Sequence, residues 1–227
     1  QRLAEYDRAE KIDYKLENIK RDIDNFSEAV DFVGMVSIIG GEPFLHPQID
    51  EIVRHCLTKE NIGIVNITTN GIVKLSEKLL NKIKNDRIKI SFSYYETFLT
   101  EIQKELFERN VKLVEKSGIS YSVAHPLWIK PKELKDYHYD QKDLQIKKEG
   151  CNSIKMCIAV KDGSLYPCSA AENIAGLHKY ELKNSSVDVR DRSNLRKRII
   201  DLLDQKYFDA CCYCSSEKGE EIPAGEQ

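Results

Sequence analysis

The 227-residue sequence predicts an α/β fold: a parallel sheet of successive strand–turn–helix units, open or closed into a (β/α) barrel, followed by a small cysteine-rich unit. Three observations predict it. Four short apolar runs alternate with segments of helical spacing, and the first three of those runs end in glycine or small polar residues. Six of the seven cysteines lie after residue 150.

The first strand is expected at 33–39, an almost uninterrupted apolar run of the kind covered on both faces in a parallel sheet. Gly40-Gly41-Glu42-Pro43 follows it. Over 46–57, Pro47 suits a first helical turn and Ile49, Ile52, Val53, Cys56 and Leu57 recur at helical spacing, which places Cys56 in the core. The second strand spans 62–69 and ends in Thr68-Thr69-Asn70-Gly71, with a helix expected over 75–83. The third strand, 87–93, precedes a long helix in which Phe98, Ile102, Leu106, Val111 and Val114 share a face. A fourth strand is expected at 118–124.

Alternation with short connections implies right-handed crossovers, and in such sheets ligands gather beyond the carboxyl ends of the strands. Residues 40–43, 68–71 and 91–94 all fall there. By spacing alone Glu42 fits equally well as a cap on the helix near Pro47, and Asn70-Gly71 is a favoured turn pair. Pro126, Pro131 and the stretch 137–142 break the alternation, so the sheet domain is assigned to 1–140 and the cysteine-rich domain to 141–227, with a last strand near 142–146. His125, Trp128 and His138 are read as surface or packing residues.

In the second domain Asp162-Gly163 predicts a β-hairpin. Counting outward from that turn pairs Lys161 with Ser164 and brings Cys157 opposite Cys168, within reach of one metal centre. Cys211 and Cys214 form a Cys-x-x-Cys pair able to grip one metal, with Cys212 pointing elsewhere. Zinc and an iron–sulfur cluster suit such thiols equally, although zinc ribbons show two knuckles and this chain has one. A Cys157–Cys168 disulfide is the reading for an oxidising compartment.

The strand-end GGEP, the strand-end TTNG and the later DGSLYPC together resemble a radical S-adenosylmethionine (SAM) enzyme with a C-terminal iron–sulfur domain of the twitch or SPASM type. The resemblance implies a partial (β/α) barrel of that family, joined to a small β-hairpin plus helix domain. It implies that Gly40, Gly41, Glu42 and Pro43 receive the methionine end of SAM and that Thr68, Thr69 and Asn70 line the pocket; Ser91 or Ser93 could reach the cofactor from the third strand, Ser93 being the choice because it is nearer the strand end. Glycine leaves room for close approach and a carboxylate suits an ammonium group. The family spacing of cysteine, glycine and cysteine is met by Cys151, Gly163 and Cys168, with eleven residues before the glycine and four after it. With Cys211 and Cys214 these thiols would hold an auxiliary [4Fe-4S] cluster, Cys157 being the reserve.

One departure stands out: no CxxxCxxC motif, which holds the SAM-cleaving cluster in this family, precedes Gly40. The chain begins at Gln1, and the expectation is of a fragment lacking its first strand and cluster loop, unable by itself to cleave SAM. The implied function is generation of a 5′-deoxyadenosyl radical for hydrogen abstraction from a small molecule, a peptide or a glycan precursor, with flavodoxin or ferredoxin as electron donor and a cytoplasmic location. A non-catalytic, zinc-stabilised α/β binding protein is the alternative.

A net charge of −2 argues against a nucleic-acid binder, and the basic residues near Arg190 to Arg198 are interleaved with Asp188, Asp191 and Asp201. There is no run of 18 apolar residues that would predict a membrane span.

Overall fold

Strand β1 (Val33–Ile38) pairs in parallel with β2 (Ile62–Thr69), β2 with β3 (Ile88–Ser93) and β3 with β4 (Ser120–Ala124). The result is an open four-stranded sheet in sequential order. These features come from a computed structural model that describes residues 14–96, 99–126, 128–130, 134–177, 180, 182–215 and 220–222, with backbone alone for 128–130 and 220–222. The chain divides into two compact units: Lys15–Trp128 holds the parallel sheet and Ile129–Glu221 the cysteine-rich segment.

The register sorts side chains onto two faces of the sheet. Ile67, Ile90 and Tyr121 stand in one row, and Thr68, Ser91 and Ser122 in a row on the opposite face. The apolar face packs against helices α2 (Ile49–Leu57), α3 (Glu77–Ile83) and α4 (Glu101–Ser117) through Val53, Cys56, Leu80, Ile83, Phe107 and Val114. Sequential strands whose crossover helices all lie on one face form the singly wound arrangement of a (β/α) fold. Helix α1 (Leu16–Ala29) joins α2 through Asp24, whose carboxylate meets His55 at 2.7 Å and Lys59 at 2.5 Å.

Local chemistry sets the element ends. Thr100 and Gln103 form a reciprocal capping box that starts α4 at Glu101, and Gly118, with φ of 75°, ends it in the left-handed region. Gly118 is therefore a helix cap, and the fourth strand begins at Ser120. The buried face of α4 runs through Phe107, Asn110 and Val114, with Val111 beside it. Ile102, expected on that face, is 78% exposed, because it lies five residues before Phe107, well round the helix from the buried stripe; Phe98 lies outside the described residues. The helix expected from Leu75 begins at Glu77, where the Ser76 hydroxyl accepts from the Leu79 amide.

In the second unit, α5 (Gln141–Gly150) occupies the segment where a last strand was expected. Asp140 caps it by accepting from the Asp143 amide, which commits the segment to helix. Helix α6 (Asn152–Met156) leads to the hairpin of β6 (Ala159–Lys161) and β7 (Ser164–Tyr166). Its turn residues Asp162 and Gly163 have φ of 43° and 79°, as a two-residue hairpin turn requires. Helix α7 (Ser169–Gly176), the short strand β8 (Val187–Asp188), α8 (Leu195–Leu203) and α9 (Ala210–Tyr213) complete this unit. Strands β5 (Trp128–Lys130) and β9 (Glu220–Ile222) lie near the division between units. Among the described residues no helix is long and apolar enough to cross a membrane.

Candidate functional site

Three connections at the carboxyl ends of β1, β2 and β3 carry the expected residues. After β1 the chain turns through Gly40 and Gly41, both exposed, and enters a 3-10 turn, Pro43–Leu45. Glu42 caps that turn: its Oε1 accepts from the Phe44 amide at 3.2 Å. The same oxygen accepts from Thr69 Oγ1 at 2.8 Å, and Oε2 accepts from the Asn70 amide at 2.9 Å. One carboxylate thus laces the end of β1 to the end of β2. Charge-assisted acceptance by a carboxylate makes these the stronger class of hydrogen bond.

The loop after β2 is fixed from within. Thr69 Oγ1 also accepts from the Gly71 amide at 3.0 Å, and Asn70 Oδ1 accepts from the Ile72 amide at 3.0 Å, so both side chains fold back onto the turn. Gly71 has φ of 74°, and a Cβ there would lie 2.5 Å from Phe107 Cδ2. Glycine is required at this position by backbone and packing alike. Gly40 and Gly41 differ: a Cβ on either meets nothing within 4 Å, and neither has a positive φ. The fold itself makes no demand for glycine there.

Thr68 and Thr69 have separate duties. Thr69 is buried on the helix-facing side and serves Glu42, whereas Thr68 stands on the polar face and accepts from Asn66 Nδ2 at 3.1 Å. Asn66 Nδ2 also approaches Ser37 Oγ at 3.3 Å, Ser91 Oγ donates to Asn66 Oδ1 at 2.7 Å, and Ser91 and Ser122 hydroxyls lie 3.4 Å apart. A row of neutral hydroxyls and one amide therefore crosses all four strands. Ser93 lies on this face too, two residues nearer the strand end and half-buried. Sequence reasoning missed Ser37, Asn66 and Ser122; the signal was a polar residue within each of these otherwise apolar strands.

His125 packs edge-on against Tyr94 with ring centroids 5.4 Å apart, and the His138 side chain is 87% exposed. The Trp128 side chain lies outside the described residues.

In the second unit Cys151 sits between α5 and α6, Cys168 caps α7, Cys211 lies in α9 and Cys214 follows it. Cys168 is buried with Ala171, Ile174 and Ala210, and its Sγ accepts from the Ala171 amide at 3.4 Å. Burial pushes the Cys168 and Cys214 thiols up and the Cys211 thiol to about 11. Neighbouring thiols add to the rise after burial: Cys151 and Cys214 for Cys168, Cys168 and Cys214 for Cys211, and Cys151 for Cys214. Lys147 opposes the shift at Cys211 and Cys214 and bonds the Cys214 carbonyl.

Cys157 stands apart. The hairpin register pairs Lys161 with Ser164 as expected, but the ladder ends at Ala159 and Tyr166. Cys157 closes α6 and is exposed while Cys168 is buried, so the facing pair obtained by counting outward does not form. All seven cysteines are free, and Cys56, wholly buried, has its thiol pushed up to about 12 by burial. Among the described residues no three Cys, His, Asp or Glu side chains stand close enough together to hold a metal ion. Cys151, Cys168, Cys211 and Cys214 supply thiol donors of the kind that thiolate-bound centres use, all on segments of this one unit.

Comparison with protein families matches residues 5–137 to the Radical SAM superfamily. Among curated proteins the chain is 36% identical over 96 residues to a probable GTP 3′,8-cyclase of Methanococcus aeolicus, covering 40% of this chain and 30% of that protein. It is 39% identical over 75 residues to a GTP 3′,8-cyclase of Limosilactobacillus fermentum, covering 33% of this chain and 22% of that protein. The matches thus span less than a third of these relatives' own lengths. Among solved structures, native anSMEcpe with bound AdoMet has the same fold with a TM-score of 0.50 at 14% identity, over 84% of this chain and 71% of that one.

Proposed function

The chain belongs to the radical SAM superfamily, and on that footing we propose that the connections after β1, β2 and β3 receive S-adenosylmethionine for radical chemistry. The observation that carries the reading is the pair Gly40 and Gly41: exposed glycines at a strand end where a Cβ would meet no protein atom within 4 Å. Residues whose smallness serves nothing inside the fold fit a backbone approached from outside. Beside them Glu42 carries negative charge at the mouth of the sheet, with one side of Oε2 still able to accept from a ligand ammonium. Pro43 fixes the turn, while Thr68, Asn70 and Ser93 offer hydrogen-bonding groups to the nucleoside part.

In this family an iron–sulfur cluster would supply the electron for reductive cleavage of SAM and hydrogen abstraction from the substrate; the CxxxCxxC motif that would hold it does not precede Gly40 in this sequence. In this reading the strand-end residues bind and orient SAM. In our reading Cys151, Cys168, Cys211 and Cys214 would hold an auxiliary [4Fe-4S] cluster in a domain of the twitch or SPASM kind. The substrate is proposed as a small molecule, peptide or glycan precursor, and the partner as a one-electron donor such as flavodoxin or ferredoxin.

Isotope-edited NMR of the chain titrated with SAM tests the cofactor site. Saturable shifts of the Gly40, Gly41 and Asn70 amides are expected; shifts confined to other residues would remove the assignment. Anaerobic reconstitution tests the auxiliary centre, with bound iron and acid-labile sulfide expected and zinc without sulfide the contrary result.

A further inference from the structure

Asn110, in the middle of α4, is wholly buried, far in sequence from the strand-end loop it reaches. Its amide spans the connection that follows the second strand. Asn110 Nδ2 donates to the Gly71 carbonyl at 2.8 Å and to the Val73 carbonyl at 2.8 Å, and Oδ1 accepts from the Leu75 amide at 3.1 Å. Three backbone groups of one irregular segment are thus satisfied by one side chain 35 to 39 residues away in sequence. An irregular segment has no ladder of its own, so its buried amide and carbonyls need such a partner.

The same segment begins where Asn70 and Thr69 hold Glu42. Gly71 is pressed against Phe107, one turn before Asn110 on the same helix. We propose that Asn110 is a positioning residue for SAM: by fixing 71–75 it sets the place of the Thr69 hydroxyl and Asn70 amide, and through them the Glu42 carboxylate. The proposal rests on the strand-end loops being the SAM site. Asn110 touches no ligand in this account; it acts through the loop.

The test compares Asn110→Ala and the milder Asn110→Ser with Val114→Ala, which opens the same buried face one turn further along α4, where Val114 is 0% exposed. Two readouts are taken on the full chain: hydrogen exchange at the Asn70, Gly71 and Ile72 amides, and SAM affinity by calorimetry. The Asn110 variants are expected to lose protection at those amides and to bind SAM about tenfold more weakly, as loss of one or two hydrogen bonds' worth of placement implies. Val114→Ala, at comparable loss of thermal stability, is expected to leave loop protection and affinity within about twofold of the parent. Equal behaviour of the two substitutions in both readouts overturns the proposal. Failure of the parent to bind SAM overturns the cofactor reading instead, and exchange at the three amides still decides whether Asn110 positions the loop.

Discussion

Thr69 Oγ1 donates to Glu42 Oε1 at 2.8 Å across 27 positions of sequence, so the ends of two neighbouring strands share one carboxylate. Replacing Glu42 with Ala removes the acceptor from Thr69, from the Asn70 amide and from the Phe44 amide together. The expected cost is about 1–3 kcal/mol of stability, the range for leaving buried donors unmet. Thr69→Val deletes one of those three bonds and is expected to cost less in both stability and SAM affinity. Urea unfolding and calorimetric titration of the two variants read these outcomes.

Gly71→Ala tests the loop after β2. The added methyl lies 2.5 Å from Phe107 and 3.0 Å from Phe92, at a φ of 74°. Left-handed backbone and overpacking together are expected to destabilise the chain by about 2–5 kcal/mol. Urea unfolding at neutral pH reads this, and near-parental stability would mean that the loop takes another course.

The cysteines separate into two groups by position. Cys168→Ala and Cys211→Ala are expected to abolish most iron and sulfide uptake on anaerobic reconstitution, since both thiols belong to the proposed ligand set. Cys157→Ala, whose exposed thiol lies beyond the hairpin ladder, is expected to retain uptake. Iron and acid-labile sulfide assays check the contrast.

Asp50 supplies a pH dependence. The Lys82 ammonium, 2.8 Å from its carboxylate, holds its pKa below the ordinary 3.8, against the opposing effect of burial, with Arg54 adding to the attraction. A depressed folded-state pKa gives stability that is fully present above the unfolded value and lost as pH falls through the folded one. The stability gap between the parent and Asp50→Asn is therefore expected to be constant above about pH 5 and to close below about pH 4. Urea unfolding of both proteins across this range shows it.

The sheet was legible because β-branched runs and short connections leave little choice of topology. What escaped notice were features set by phase and by distant partners. Ile102 falls on the wrong face because the buried stripe of α4 runs through Phe107 and the polar Asn110, which hydrophobic periodicity does not count. Residues 142–146 looked like a strand, yet Asp140 supplies a helix cap. At the site, Gly40, Gly41 and Glu42 announced themselves as a motif, but Asn110 did not: one polar residue inside an amphipathic helix carries no sequence signal until the loop it clamps is seen. Cys157 and Cys168 matched by counting, because counting assumes a ladder that continues, and this one stops at Ala159.

The central claim is that Gly40 and Gly41 are glycines for the sake of SAM. It is tested most directly by SAM titration of the parent chain and Gly41→Val, each with its unfolding free energy. The added side chain meets no protein atom within 4 Å of its Cβ, so stability should stay within about 0.5 kcal/mol of the parent. SAM affinity should fall by about tenfold or more, as expected of a side chain placed in the path of a ligand. Equal affinity in both proteins, or no saturable binding by the parent, would contradict the account.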